Sequence, residues 1–169
     1  MNQLAENMHQ SSYLTFGYKS YLYAVDISDV QEIVSLPKIF PVPQGESMII
    51  GLINLRGQVI SVVDMSQLLS FSELEKTEST GFVESVKISF LEDSKNHKIV
   101  VCRCGGNLMA LKADIIGDIY SDIDPVLKDS TGGLVQGFLK TDQRIFNLID
   151  LNKISNLLEE KTQDNKESL

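Results

Sequence analysis

Sliding the chain along itself by 86 residues brings two stretches into register at once. Tyr21–Val34 (YLYAVDISDVQEIV) falls on Asn107–Tyr120 (NLMALKADIIGDIY), and Gly51–Asp64 falls on Gly137–Asp150. Leu22 meets Leu108, Ala24 meets Ala110, Val62 meets Leu148 and Asp64 meets Asp150. Chance can produce one such stretch. Two at one offset, each ending at the start of a short helical pattern, point to two related units in one chain.

The units are built from β-type runs. Tyr13–Tyr18, Tyr21–Ile27, Ile49–Leu55, Gln58–Asp64, Val83–Leu91, Ile99–Cys104, Leu108–Lys112, Leu134–Lys140 and Arg144–Asp150 read as strands. Asp29–Leu36 fits a helical turn or a further strand. Pro37, Pro41 and Pro43 force an extended path after it. Met65–Phe71 and Leu151–Leu158 have helical spacing, and Asp64 and Asp150 stand where an N-cap belongs. Many short strands and few helices predict a mainly all-β fold of two small β-barrel subdomains, side by side and joined near Ser72–Thr80. The domain expected is 13–158, with 1–12 and 159–169 as flexible tails.

Composition narrows the function. Apolar residues make up 43% of the 169, enough for a core, and a net charge of −8 disfavours nucleic acid and anionic membrane surfaces. No run reaches the ~18 apolar residues of a spanning helix, so no direct membrane insertion is expected, and the polar start fits a cytoplasmic protein. Cys102 and Cys104, the two cysteines, point to one face of a strand and read as free thiols. His9 and His97 neighbour no plausible nucleophile, and no glycine-rich phosphate loop is present. The expectation is no enzyme, no cofactor and no metal. A small ligand-binding β-barrel protein would need a pocket of convergent polar groups that the sequence does not display.

The two hairpin crests differ. The first is Asn54-Leu55-Arg56-Gly57, the second Lys140-Thr141-Asp142-Gln143. Turn geometry alone does not demand the arginine. Arginine is suited to bidentate pairing with a carboxylate and is enriched at interface anchors.

YLYAVDISDVQEIV (21–34) and GLINLRGQVISVVDM (51–65) resemble the CheW-like family, the coupling proteins of bacterial chemotaxis arrays, and GFLKTDQRIFNLIDLN (137–152) looks like its closing hairpin. The resemblance implies two SH3-like barrels and a non-enzymatic adaptor. It implies two partners, the regulatory domain of a CheA-type histidine kinase and the cytoplasmic tip of chemoreceptors, and recruitment to membrane-associated receptor arrays. The family's receptor-contact positions fall on Val30, Glu32, Ile33, Gly51 and Arg56, with Glu32 expected to pair with Arg56. Val30 and Ile33 fit equally as core, and Gly51 as a backbone requirement of the kind a bulge imposes. Ser61, Lys112-Ala113-Asp114 and a long Phe82–Lys98 segment depart from the family pattern. The resemblance lodges the receptor tip in the groove between the barrels; if the Lys112–Asp114 and Phe82–Lys98 departures block that groove, the chain reads instead as a decoy that binds kinase only.

Overall fold

A computed structural model describes residues 11–19, 21–42, 48–66, 97–127, 133–142 and 144–167, with side chains through Glu160. The strands are β1 (Ser12–Tyr18), β2 (Tyr21–Asp26), β3 (Val30–Ser35), β4 (Ile49–Leu55), β5 (Gln58–Val63), β6 (Lys98–Cys104), β7 (Asn107–Ala113), β8 (Ile115–Ser121), β9 (Val126–Leu127), β10 (Val135–Lys140) and β11 (Ile145–Ile149). The α-helix α1 (Leu151–Glu167) follows β11, and a 3-10 turn at Ile27–Asp29 precedes β3. The fold is mainly β, as expected. Asp29–Leu36 resolves as strand after that single turn. Met65 and Ser66 are helical, while the rest of Met65–Phe71, the Ser72–Thr80 joint and the Val83–Leu91 strand lie outside the described residues.

Two sheets form, and each draws strands from both repeats. Sheet A runs β8-β1-β2-β11-β10-β9, and sheet B runs β3-β6-β7-β5-β4. The offset of 86 carries β1 onto β6, β2 onto β7, β3 onto β8, β4 onto β10 and β5 onto β11. Applied to sheet B, that exchange reproduces the first five strands of sheet A in order. The repeats therefore do not close one sheet each. The β1–β2 hairpin of the first repeat joins β11 of the second through a parallel pairing, Asn147 with Tyr23 and Leu148 with Ala24. Its mirror is the parallel pairing of β5 with β7, Val62 with Ala110.

Side-chain alternation explains why four strands are apolar almost throughout. One face of β1 and β2 lines the interior of sheet A, where Tyr13, Leu22, Ala24, Leu139, Phe146 and Leu148 pack together. The repeat equivalents Ile99, Leu108, Ala110, Ile53, Ile60 and Val62 do the same in sheet B. The opposite faces meet in a central core, where Phe16, Tyr23 and Val25 join Val63, Val100, Cys102 and Leu111. Strands buried on both faces lose the alternation of a half-exposed strand and read as continuous apolar runs. α1 anchors to the same core through Leu151 and Ile154.

Both proposed caps form. Asp64 accepts from the backbone N–H and hydroxyl of Ser66 at 3.0 and 2.6 Å, and Asp150 accepts from the N–H of Lys153 at 3.1 Å. Burial alone would raise the Asp64 carboxyl, but the Ser66 hydroxyl and the Lys19 ammonium, at 3.2 Å, outweigh it and hold the group below the usual carboxylate range. A depressed folded value stabilises the protein above the unfolded pKa, and the contribution is lost as pH falls through the folded value. Asp64→Asn keeps a capping side chain and removes the charge. It is expected to lower stability at pH 7 and to flatten the acid side of the stability–pH curve, as read by urea titrations below pH 5.

Candidate partner-binding site

The β4–β5 hairpin turns in two residues. Leu55 pairs with Gln58, and Arg56 and Gly57 between them have φ of 52° and 87°. Two consecutive positive φ values mark a type I′ turn, which favours Asn-Gly or Gly-Gly. The Asn54 Oδ1 accepts from the Gly57 N–H at 2.9 Å and fixes the crest. Glycine suits the second position. Arginine at the first is unfavourable by about 1–2 kcal/mol, because its Cβ crowds the following carbonyl.

The Arg56 guanidinium reaches across to β3, where one Nη donates to the Glu32 carboxylate at 2.9 Å. β3 and β4 stand at opposite ends of the order of sheet B, so the pair shows that the sheet curls until its ends meet. The expected pairing of Glu32 with Arg56 is therefore present. The arginine side chain remains 78% exposed and the glutamate 20%. A pair so open to water contributes about 0.2–1 kcal/mol, no more than the strain at Arg56 takes away. Arg56 is thus not held at the crest by stability. Arg56→Asn should leave stability within about 1 kcal/mol of the parent or raise it, measured by urea denaturation. A loss of several kcal/mol would make the arginine a structural tie.

The other expected contact positions separate. Ile33 points outward and is exposed, while Val30 is half-buried against the central core. Gly51 is buried at a register shift in the β4–β5 ladder. A Cβ there would lie 2.5 Å from the Phe40 carbonyl oxygen, so the backbone requirement read from the sequence is real. Glu32 and Arg56 come together at the surface, Ile33 is exposed next to Glu32 in β3, Val30 packs on the central core, and Gly51 is buried against Phe40. Sequence reasoning missed Val59 on the same hairpin, whose side chain is exposed. The alternation of β5 around buried Ile60 was the available signal.

A second polar cluster joins the two sheets. Lys19, in the β1–β2 turn, reaches Asp64 after β5, and its backbone N–H donates to Asp114 between β7 and β8 at 2.6 Å. Asp114 also meets the His97 Nδ1 at 2.9 Å. This is what the Lys112-Ala113-Asp114 departure does. Asp114 ties the turn, Ala113 is buried, and the Lys112 ammonium lies 5.8 Å from the centre of the Tyr18 ring. Burial pushes the Cys104 thiol up to about 11, and Cys102 higher still, so both are inert core residues. Among the described residues, no group of His, Cys, Asp and Glu could hold a metal ion.

Comparison with known proteins agrees with this geometry. The CheW-like domain family matches residues 12–159. The chemotaxis protein CheW of Thermotoga maritima is 27% identical over 91% of this chain and 93% of its own length. The CheW of Bacillus subtilis is 29% identical over 78% of each chain. Among solved structures, the scaffolding protein TtCheW from Thermoanaerobacter tengcongensis superposes with a TM-score of 0.63 at 24% identity, covering 89% of this chain and 91% of its own. The fold is that of this scaffolding protein.

Proposed function

Because the chain belongs to the CheW-like family, we propose that it is a non-enzymatic coupling adaptor that joins chemoreceptors to a CheA-type histidine kinase. It acts by binding alone. Holding receptor and kinase in one complex lets the state of the receptor change the activity of the kinase. The observation that carries the receptor half is the Arg56–Glu32 pair, an exposed charged anchor that adds little to stability. Glu32, Ile33 and Arg56 contact the cytoplasmic tip of the receptor, while Val30 and Gly51 hold that surface in place. The regulatory domain of the kinase is the second partner. The working place is the cytoplasm, against membrane-associated receptor arrays. No helix of the described residues is long and apolar enough to cross a membrane.

The test is titration calorimetry with a CheA-type regulatory domain and, separately, with a receptor-tip helical fragment. Micromolar or tighter binding of both is expected. Arg56→Glu sets a second carboxylate against Glu32 and should weaken receptor binding about tenfold or more, with the kinase arm unchanged. Kinase binding without receptor binding would leave a kinase-only competitor. An unfolded Arg56→Glu by circular dichroism would make the arginine structural.

A further inference from the structure

The exchange of strands makes two joints between the sheets, equivalent at the offset of 86. At the first, the β1–β2 turn meets the end of β5 and the β7–β8 link. At the second, the β6–β7 turn meets the end of β11 and the 3-10 turn between β2 and β3. Lys19 and Gly105 hold the same place in the two turns, with φ of 53° and 54°. Asp64 corresponds to Asp150, Asp114 to Ser28 and Tyr18 to Cys104.

The first joint is closed by bonds that cross it. The Gly17 carbonyl accepts from the Asp114 N–H at 2.8 Å. The Lys19 ammonium donates to Asp64 at 3.2 Å and to the Ser66 hydroxyl at 2.6 Å, and the Lys19 N–H donates to Asp114 at 2.6 Å. The ammonium groups of Lys19 and Lys112 lie 5.2 and 5.8 Å from the centre of the buried Tyr18 ring.

At the second joint the equivalent groups turn back on their own segments. The Ser28 N–H donates to Asp26 at 2.8 Å, and Asp150 meets Lys153 of its own helix at 3.9 Å. Gly105 brings no cation, and Arg103 on β6 is engaged by Gln31. Asp29 stands here half-buried, its carboxyl raised first by burial and then by the charges of Asp26 and Asp150. An exposed bond of 3.3 Å runs across the joint from the Asn107 amide to Glu159. Where the first joint buries a tyrosine ring, the second buries only the Cys104 thiol.

We propose that the molecule opens locally at the second joint, the β6–β7 turn lifting as a hairpin from α1 and the Ile27–Asp29 turn while the Lys19 joint stays shut. Local opening begins where few bonds cross and like charges meet. Lifting the turn uncovers Cys104 first, because it is the last residue of β6, whereas Cys102 lies two residues further into the central core. The opening involves none of the expected receptor-contact residues, so it stands apart from the coupling function.

Alkylation of the full chain with iodoacetamide, without denaturant, tests the proposal. Burial holds the Cys104 thiol at about 11, so it reacts only once exposed. An arginine-specific protease cuts after Arg103 and places the two cysteines on separate peptides for mass spectrometry. Cys104 should be modified about tenfold or more faster than Cys102, at a rate that low urea barely changes, because a local opening exposes little surface. Asp29→Asn and Gly105→Lys should each slow Cys104 about threefold, each rate taken relative to that of the same variant unfolded in urea. The turn lifts intact, so the strain of a lysine at positive φ is present in both states and cancels. A cation beside the thiol would by itself speed alkylation, so slowing in Gly105→Lys reports closure. Circular dichroism checks the fold of each variant. Equal rates at the two cysteines, both following global unfolding as urea rises, overturn the proposal. So does a Cys104 rate that neither substitution slows.

Discussion

Severing the chain within residues 67–96 should yield two fragments that do not fold alone and that fold together when mixed. The reason is the strand exchange. The first fragment carries β1 to β5, but its β1–β2 hairpin sits in sheet A between β8 and β11 of the second fragment. Its β5 pairs with β7, and its β3 pairs with β6, again across the cut. Alone, it keeps two hairpins, and an isolated two-stranded hairpin is marginal in water at best. The interior of each sheet and the central core all draw residues from both fragments, so neither half can assemble any of the three. Circular dichroism and amide dispersion should show disorder in each fragment and native signals in the mixture. A monomeric, cooperatively unfolding first fragment would refute the exchanged topology.

That topology also marks the limit of what the sequence disclosed. The repeat was visible because cores at equivalent positions demand equivalent side chains, as Leu22 and Leu108 or Ala24 and Ala110 do. A repeat shows which segments are alike, not which of them pair. Nothing in Tyr21–Asp26 says that its parallel neighbour lies 125 residues away, where the Asn147 amide donates to the Leu22 carbonyl. β8 went unread because it is an edge strand whose middle, Gly117, Asp118 and Ile119, is exposed, so no apolar period survives. α1 runs to Glu167, past Leu158, because its last turns carry no apolar stripe for periodicity to detect. At the site, the undecided element at Asp29–Leu36 left Val30 and Ile33 undecided as well. Three residues apart, they share a face of a helix but lie on opposite faces of a strand. The strand half-buries Val30 and exposes Ile33.

Gly51→Ala should cost about 1–3 kcal/mol, and Gly137→Ala about the same. Either Cβ would collide with a backbone oxygen of the neighbouring strand, Phe40 at 2.5 Å or Val126 at 2.4 Å, and backbone yields less readily than the end of a side chain. Relief requires the outer strand to lift, which threatens the paired hydrogen bonds of Phe40 with Leu52. At about 2–4 °C per kcal/mol for a chain of this size, the melting temperature falls by several degrees. Gly57→Ala differs, because no atom lies within 4 Å of the new Cβ and only the positive φ of 87° opposes it. It should cost about 1 kcal/mol. The matched glycines also decide a functional point. Gly51 is one of the positions that the family resemblance points to for receptor contact, and Gly137 is not. If Gly51 acts only by allowing the Phe40 strand to pass, both alanine variants should bind the receptor tip alike at a temperature where both are fully folded. Selective loss in Gly51→Ala, at matched stability, would place that backbone in the contact surface itself.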